Sequence, residues 1–324
     1  MGTPDFAVPS LEILLANNYP IQAVVTAPDK PRGRGQELAQ TSVKTFALKH
    51  QLPILQPESL KDLAFIEEIK RLHPDLIIVV AFKILPKEVF TIPRLGAFNL
   101  HASLLPKYRG AAPINWAIIN GETETGVTTF FLKEKVDTGN VLLQARLPIN
   151  PEDNAGTIHD RLAEVGAEIV LHTVRLIEQG KAVPRKQDDS RACPAPRIFK
   201  EDCRIDWNQQ AEKIHNRIRG LSPYPRAFTM RNDKVIKLYR THVVDVTPNG
   251  EPGTVQVSPP KADPRRPSEN SKGGQAPLTH GFGLLVNCAD KTIAIDELQQ
   301  EGRKRMVVDE FLRGYRISSG EKFE

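Results

Sequence analysis

From Val8 to Asn17 the chain places leucines and an alanine at helical spacing, and Ile21 to Thr26 follows as a short apolar strand. Thr41 to His50 predicts a second helix, with Thr41 or Ser42 as its cap. Leu60 to Leu72 predicts a third, amphipathic, with Leu63, Ile66, Ile69 and Leu72 on one face. The run Asp75 to Ala81 is apolar without alternation, which predicts a strand covered on both faces, as in parallel sheets. Strands are also predicted over Ala97–His101 and Gly126–Leu132, with a helix from Pro113 to Asn120 between them and a long helix over Ala155–Gln179. Strands alternating with helices imply a doubly wound, Rossmann-like α/β domain over residues 1–180.

The opening of this pattern is unusual. A doubly wound domain begins with an apolar strand that feeds its first turn, yet Met1-Gly2-Thr3-Pro4-Asp5-Phe6 already reads as the turn. The first central strand is therefore expected to be missing. Either the fold does without it or the start lies a few residues upstream. The second alternative is preferred, because an empty central slot leaves backbone groups unpaired.

Charged residues and prolines dominate residues 181–204, which read as a linker. Beyond it a helix runs to Gly220, and short β-rich segments follow (Ala227–Met230, Val235–Val244, Gly253–Val257, Leu284–Asn287 and Thr292–Leu298). This pattern predicts a small barrel over residues 205–324. Within it, residues 258–277 carry five prolines and almost no apolar side chains, the composition of a disordered insertion.

A chain of 324 residues, 40% hydrophobic and 26% charged, suits two globular domains. The formal net charge of +5 permits an anionic partner such as RNA without requiring one. Cys193, Cys203 and Cys288 are odd in number and far apart, which fits neither a disulfide framework nor a four-ligand zinc site and favours a reducing compartment. No apolar run is long enough to span a membrane, and the N-terminus lacks the basic and apolar regions of a signal peptide, so a cytoplasmic location is expected.

The chemistry concentrates in Phe98-Asn99-Leu100-His101-Ala102-Ser103-Leu104-Leu105-Pro106. Alternate residues of a strand share a face, so Asn99 and His101 project together while Phe98 and Leu100 face the opposite layer. The strand ends immediately afterwards, which puts the polar pair near the carboxyl edge where open α/β sheets bind ligands. Read by itself, the histidine could equally be satisfied by internal hydrogen bonds. Asp137-Thr138-Gly139 by itself also fits an ordinary turn. There is no Gly-x-Gly-x-x-Gly after a strand to suggest a dinucleotide, and no His/Cys cluster with metal-ligand spacing.

Taken together, Asn99-x-His101, Ser103-Leu104-Leu105-Pro106, Arg109-Gly110-Ala111-Ala112-Pro113-Ile114 and Asp137-Thr138-Gly139 resemble the folate-dependent formyltransferase family. The opening Gly2 to Ala7, the loop Pro28 to Gly35 and the tail Phe311 to Tyr315 resemble the branch of that family that acts on charged initiator tRNA. The resemblance covers the chain apart from the proline-rich insertion. It implies formyl transfer from 10-formyltetrahydrofolate to the methionine of initiator methionyl-tRNA; a monomer is expected, and no metal, since there is no His/Cys cluster with ligand spacing. It also implies that Asn99, His101 and Asp137 are catalytic, with no covalent intermediate on Ser103. The tetrahedral oxyanion formed by amine attack would accept hydrogen bonds from Asn99 and His101. Asp137 would orient His101 and, through water, take the proton leaving the amine.

By the same resemblance, Phe82 and Ile84 lie on the loop around the folate, and Ser103, Leu104, Leu105 and Pro106 form part of its wall. The family often carries tyrosine-glycine where this chain has Phe82-Lys83. Lys30, Arg32 and Arg34 would contact tRNA, together with an OB-like C-terminal barrel bearing Arg303, Lys304, Arg305, Arg313 and Arg316. Two rival readings are a formyltransferase for a small amine and a non-enzymatic RNA-binding protein. The second leaves Asn99, His101 and Asp137 without a task.

Overall fold

The computed structural model describes residues 1–32, 37–258 and 283–324. Arg34 and residues 259–277 of the expected insertion lie outside them. The chain forms two compact units. The first comprises Met1–Ala117, Thr123–Pro151 and Thr157–Arg197, and the second Ile118–Glu122, Glu152–Gly156 and Ile198–Glu324. The stretch read as a linker is thus divided: residues up to Arg197 are built into the first unit.

In chain order the first unit contains all or most of α1 (Val8–Ala16), β1 (Val24–Val25), β2 (Lys30–Arg32), β3 (Glu37–Ala39), α2 (Ser42–Lys49), β4 (Ile54–Leu55), α3 (Leu63–Arg71), β5 (Ile77–Val80), α4 (Lys87–Phe90), β6 (Ala97–His101), β7 (Arg109–Gly110), α5 (Pro113–Ile119), β8 (Glu124–Phe131), β9 (Val141–Pro148), α6 (Ala155–Glu178) and β10 (Pro194–Ala195). Caps set the helix starts. Thr41 Oγ1 accepts from the Lys44 amide at 3.0 Å to begin α2, and Asp62 accepts from Ala64 at 3.1 Å to begin α3. On α3 the buried face is Phe65, Ile66 and Ile69, whereas Leu63, expected on that face, is 76% exposed. As the first helical residue, Leu63 lies at the rim of the packed stripe.

The main sheet has the order β5-β6-β8-β9. β5 and β6 are parallel, but β6–β8 and β8–β9 are antiparallel, so the sheet is mixed rather than wholly parallel. β9, which the hydrophobic pattern did not predict, is an edge strand whose residues are mostly half-buried or exposed, and it therefore lacks a strong apolar signal. β6 is sandwiched: Phe98 is fully buried and Leu100 is 2% exposed. Leu100 meets α6 at Gly166, where an added Cβ would lie 2.7 Å from Leu100 Cδ2. Glycine there lets the helix lie close against the strand and locks the apolar face of β6 inward.

β1 and β4 form a separate two-stranded parallel sheet. Among the described residues, only Met1-Gly2 makes backbone contacts to both β1 and β5. The Gly2 amide donates to Val25 O at 3.0 Å, Gly2 pairs with Val80, and the Val80 amide donates to Met1 O at 2.9 Å. The Met1 amine donates to Ile78 O at 2.7 Å, and burial pushes it down to about 5. Below this bridge the gap is a cavity of about 360 Å³, walled by Leu11, Leu14, Leu72, Ile77 and Ile177. Among the described residues no strand fills it.

The second unit holds α7 (Ala211–Gly220), β11 (Ala227–Arg231), β12 (Lys234–Val244), β13 (Val255–Ser258), β14 (Gly283–Asn287), β15 (Thr292–Gln300), β16 (Met306–Val307) and α8 (Val308–Gly314). Its sheet runs β11-β12-β15-β14-β13, with β16 on β15. β11 and β13, the two ends of this order, do not pair with each other; the C-terminal tail bonds both, the Val255 amide donating to Glu321 O at 2.8 Å and the Met230 amide to Glu324 O at 2.8 Å, and no closed barrel of strands is found among the described residues. Its core gathers Trp207, Ile214, Ile218, Leu238, Phe311 and Phe323. No helix among the described residues is long and apolar enough to cross a membrane.

Because Phe98 has no exposed surface, Phe98→Ala should destabilise the protein by about 3–5 kcal/mol through lost burial and a cavity. Urea unfolding followed by circular dichroism checks this, and an unchanged midpoint would contradict the packing described.

Candidate active site

Parallel pairing of β5 with β6 (Val80 opposite Leu100) makes both strands end at one edge of the sheet. The loops that follow, residues 81–86 and 102–108, therefore leave side by side. Asn99 is half-buried, and His101, on the same face by strand alternation, is 6% exposed.

The imidazole is held from two directions. Nε2 lies 2.8 Å from the Tyr108 carbonyl oxygen. A carbonyl can only accept, so Nε2 carries a proton and donates it. Nδ1 faces Asp137 Oδ2 at 3.8 Å, with both side chains largely buried. Any proton that His101 exchanges with a substrate must therefore pass through Nδ1, the nitrogen on the Asp137 side. The edge of the Phe130 ring stands against the imidazole, with centroids 6.5 Å apart.

Asp137 reaches this position by an unusual backbone. It sits at φ +53°, a left-handed conformation that Asp tolerates better than most residues. The Thr138 hydroxyl donates to Lys135 O at 2.8 Å and ties the turn. Asp137 Oδ2 accepts the Gly110 amide at 2.9 Å. At Gly139 an added Cβ would collide with the Phe131 carbonyl oxygen, so only glycine lets the turn fold back over the strand.

The loop Ser103–Pro106 is fastened to the sheet by side chains of β8 and β9. Thr128 Oγ1 donates to Ser103 O at 2.6 Å and accepts the Leu105 amide at 3.1 Å. Gln144 Nε2 donates to Leu105 O and Thr128 Oγ1, both at 2.9 Å. Ser103 is fully buried and its hydroxyl donates to Lys107 O at 2.6 Å, which makes it a structural hydroxyl. Leu105 is buried, while Leu104 and Pro106 are half-buried. In the neighbouring loop, Phe82 packs half-buried against the core and Ile84 is 72% exposed. An apolar, partly exposed wall on two adjacent loops fits a flat heteroaromatic ring.

The basic residues are placed elsewhere. Lys30 is exposed on β2, which pairs antiparallel with β3. The base of this hairpin is fixed by Asp29, which accepts from Lys44 at 2.5 Å and Gln56 at 2.9 Å. The Lys44 bond holds the Asp29 carboxyl below the usual carboxylate range. Arg32 ends β2, in backbone register with Glu37 of β3. In the second unit, Arg305 stacks on Tyr239 at 4.3 Å and pairs with Glu297, while Lys304 pairs with Glu310 at 2.9 Å. Those two cations thus have partners inside the unit.

Sequence reasoning missed Tyr108, Thr128, Gln144 and Gln187, which contribute a backbone carbonyl, a hydroxyl and two side-chain amides with no periodic signature. Cys193 was also missed: its Sγ accepts the Tyr108 amide at 3.2 Å, behind the carbonyl that holds His101.

The chain as a whole is similar to known proteins. The chain matches formyl transferase over residues 1–174 and the formyl transferase C-terminal domain over residues 197–316. It belongs to the formyl transferase family. Two similar relatives are both called methionyl-tRNA formyltransferase. That of Syntrophus aciditrophicus (strain SB) is 47% identical over 321 residues, 99% of this chain and 96% of the relative. That of Geobacter sulfurreducens is 45% identical over 321 residues, 99% and 94% of the two chains. Among solved structures, the N-formyltransferase from Helicobacter canadensis in complex with folinic acid and dTDP-3-aminofucose shares the fold, with a TM-score of 0.61 at 20% identity over 91% of this chain and 96% of that one.

All three cysteines are free, but burial raises the thiol of Cys203 and pushes that of Cys288 up to about 12, whereas Cys193 is only partly buried. An alkylating reagent at pH 8 should therefore label Cys193 first in the folded protein and disturb Tyr108. Peptide mass mapping against residual activity checks this; earlier labelling of Cys288 would refute it.

Proposed function

We propose that this chain transfers the formyl group of 10-formyltetrahydrofolate to the amino group of methionine carried by initiator methionyl-tRNA, supporting translation initiation. The observation that carries the reading is the approach of Asp137 to Nδ1 of His101 on the strand that also presents Asn99. The names of its relatives from Syntrophus and Geobacter support the choice of acceptor, since similarity extends along nearly all of both chains.

The chain's own groups divide the chemistry as follows. The amine attacks the formyl carbon, and the developing oxyanion is stabilised by the Asn99 amide and a proton on Nδ1 of His101. Asp137 accepts the proton lost by the amine, directly or through water. Collapse breaks the bond between the formyl carbon and the folate nitrogen, which leaves with the proton that Asp137 took from the amine, so that Asp137 is again ionised. The wall made by Phe82, Ile84, Leu104 and Pro106 binds the folate ring, with Ser103 and Leu105 as its buried backing. Lys30, Arg32 and Arg34 contact the tRNA backbone, and the second unit serves as an OB-like tRNA-binding domain. The enzyme works as a cytoplasmic monomer.

A formylation assay comparing charged initiator tRNA with glycinamide ribonucleotide and an amino sugar tests the acceptor. Only the tRNA should be used efficiently, and preference for either small amine would overturn the assignment. Asn99→Ala, His101→Ala and Asp137→Ala should each slow transfer by about 10²–10³ without unfolding the protein. Near-wild-type rates in all three would remove the catalytic reading. Arg34→Ala should weaken use of tRNA while slow hydrolysis of the folate donor persists, and equal loss of both would argue against a tRNA contact.

A further inference from the structure

Residues 181–197 look like a linker in composition, yet they wrap around the turn that carries Asp137. The Arg185 amide donates to Val141 O and the Val141 amide donates back to Arg185 O, both at 2.8 Å. β10 pairs in parallel with β7, placing Ala195 beside Gly110. Between these anchors lies Gln187, only 7% exposed. Its Nε2 donates to Asp137 O at 2.9 Å and to Gly139 O at 2.8 Å. Its Oε1 accepts from Arg109 Nε at 3.2 Å and Nη2 at 2.7 Å. The orientation of the amide is unambiguous, because carbonyls only accept and a guanidinium only donates.

We infer that Gln187 is a positioning residue for formyl transfer, holding the Asp137 turn at the distance from His101 that the reaction needs. The turn is in a left-handed conformation at a non-glycine residue, so its backbone has to be held from outside. Gln187 grips the carbonyls of Asp137 and Gly139, on either side of Thr138. The Gly110 amide grips the carboxylate. Arg109 joins the two grips, since it neighbours Gly110 in the chain and bonds Gln187 with its side chain. The same Nη2 that bonds Gln187 also donates to Asp189 Oδ1 at 2.7 Å, which holds the Asp189 carboxyl below its usual range. The hydrogen-bonding capacity of the Gln187 amide is thus divided between the catalytic turn and the arginine that anchors it.

The inference rests on Asp137 being catalytic, and the test separates the two. In the full-length enzyme, kcat and KM for formylation of charged initiator tRNA are measured for Gln187→Met, Gln187→Glu, Asp137→Asn and the double variant Gln187→Met/Asp137→Asn. Gln187→Met keeps the volume and removes both sets of hydrogen bonds. Gln187→Glu keeps an acceptor for Arg109 but sets a carboxylate oxygen against two carbonyls, and so serves if the methionine variant folds poorly.

Each single Gln187 variant should lower kcat about 10- to 100-fold, as expected for a displaced catalytic group, with both KM values nearly unchanged. The double variant should be no slower than Asp137→Asn alone, because Gln187 acts only through Asp137. A merely structural role would instead multiply the two losses or raise KM, and either result overturns the inference, as would wild-type kcat in both Gln187 variants. If Asp137→Asn itself transfers formyl at the wild-type rate, the catalytic reading falls and takes this inference with it.

Discussion

The site is built around a contradiction within five residues: β6 must be apolar enough to be covered by α6 and polar enough to present Asn99 and His101 at the sheet edge. Strand alternation resolves it, since Phe98 and Leu100 enter the core while their neighbours face the opposite side. The close contact of Leu100 with Gly166 fixes which face is which. A one-residue slip would put the imidazole in the core and a leucine on the face that presents Asn99 and His101. Much else in the first unit follows from keeping that register.

Holding the histidine is a separate problem from placing it. A buried imidazole with one unanchored nitrogen could rotate or exchange tautomers. The Tyr108 carbonyl removes that freedom by claiming Nε2, and the loop that delivers it is fastened by Thr128, Gln144 and the Cys193 sulfur. The carboxylate side is held by the Gly110 amide and Gln187. Polar groups that are buried and mutually satisfied are more rigid than any one pair of them. The gap of 3.8 Å between Nδ1 and Asp137 Oδ2 is set by these anchors rather than by a direct hydrogen bond. The cavity between β1 and β5 is a contrasting feature: it has largely apolar walls, and among the described residues Met1-Gly2 alone bridges the two strand edges.

The hydrophobic pattern by itself determined most of the helices, the strand Ala97–His101 with its two faces, and the division into an α/β unit followed by a β-rich one. These are local properties: period 2 or 3.6, caps such as Thr41, and runs with no polar interruption. The short motifs around Asn99, His101 and Asp137 were legible as a family likeness, and the family match agrees with it. Only the tertiary structure decided that β8 runs antiparallel to β6, that the end strands β11 and β13 of the second unit bond the C-terminal tail rather than each other, and that residues up to Arg197 belong to the first unit. It also decided which imidazole nitrogen is available and that Gln187 supports the Asp137 turn. Strand direction, tautomer choice and amide contacts between residues some 50 positions apart depend on which backbone groups meet in space, and neither periodicity nor composition encodes that.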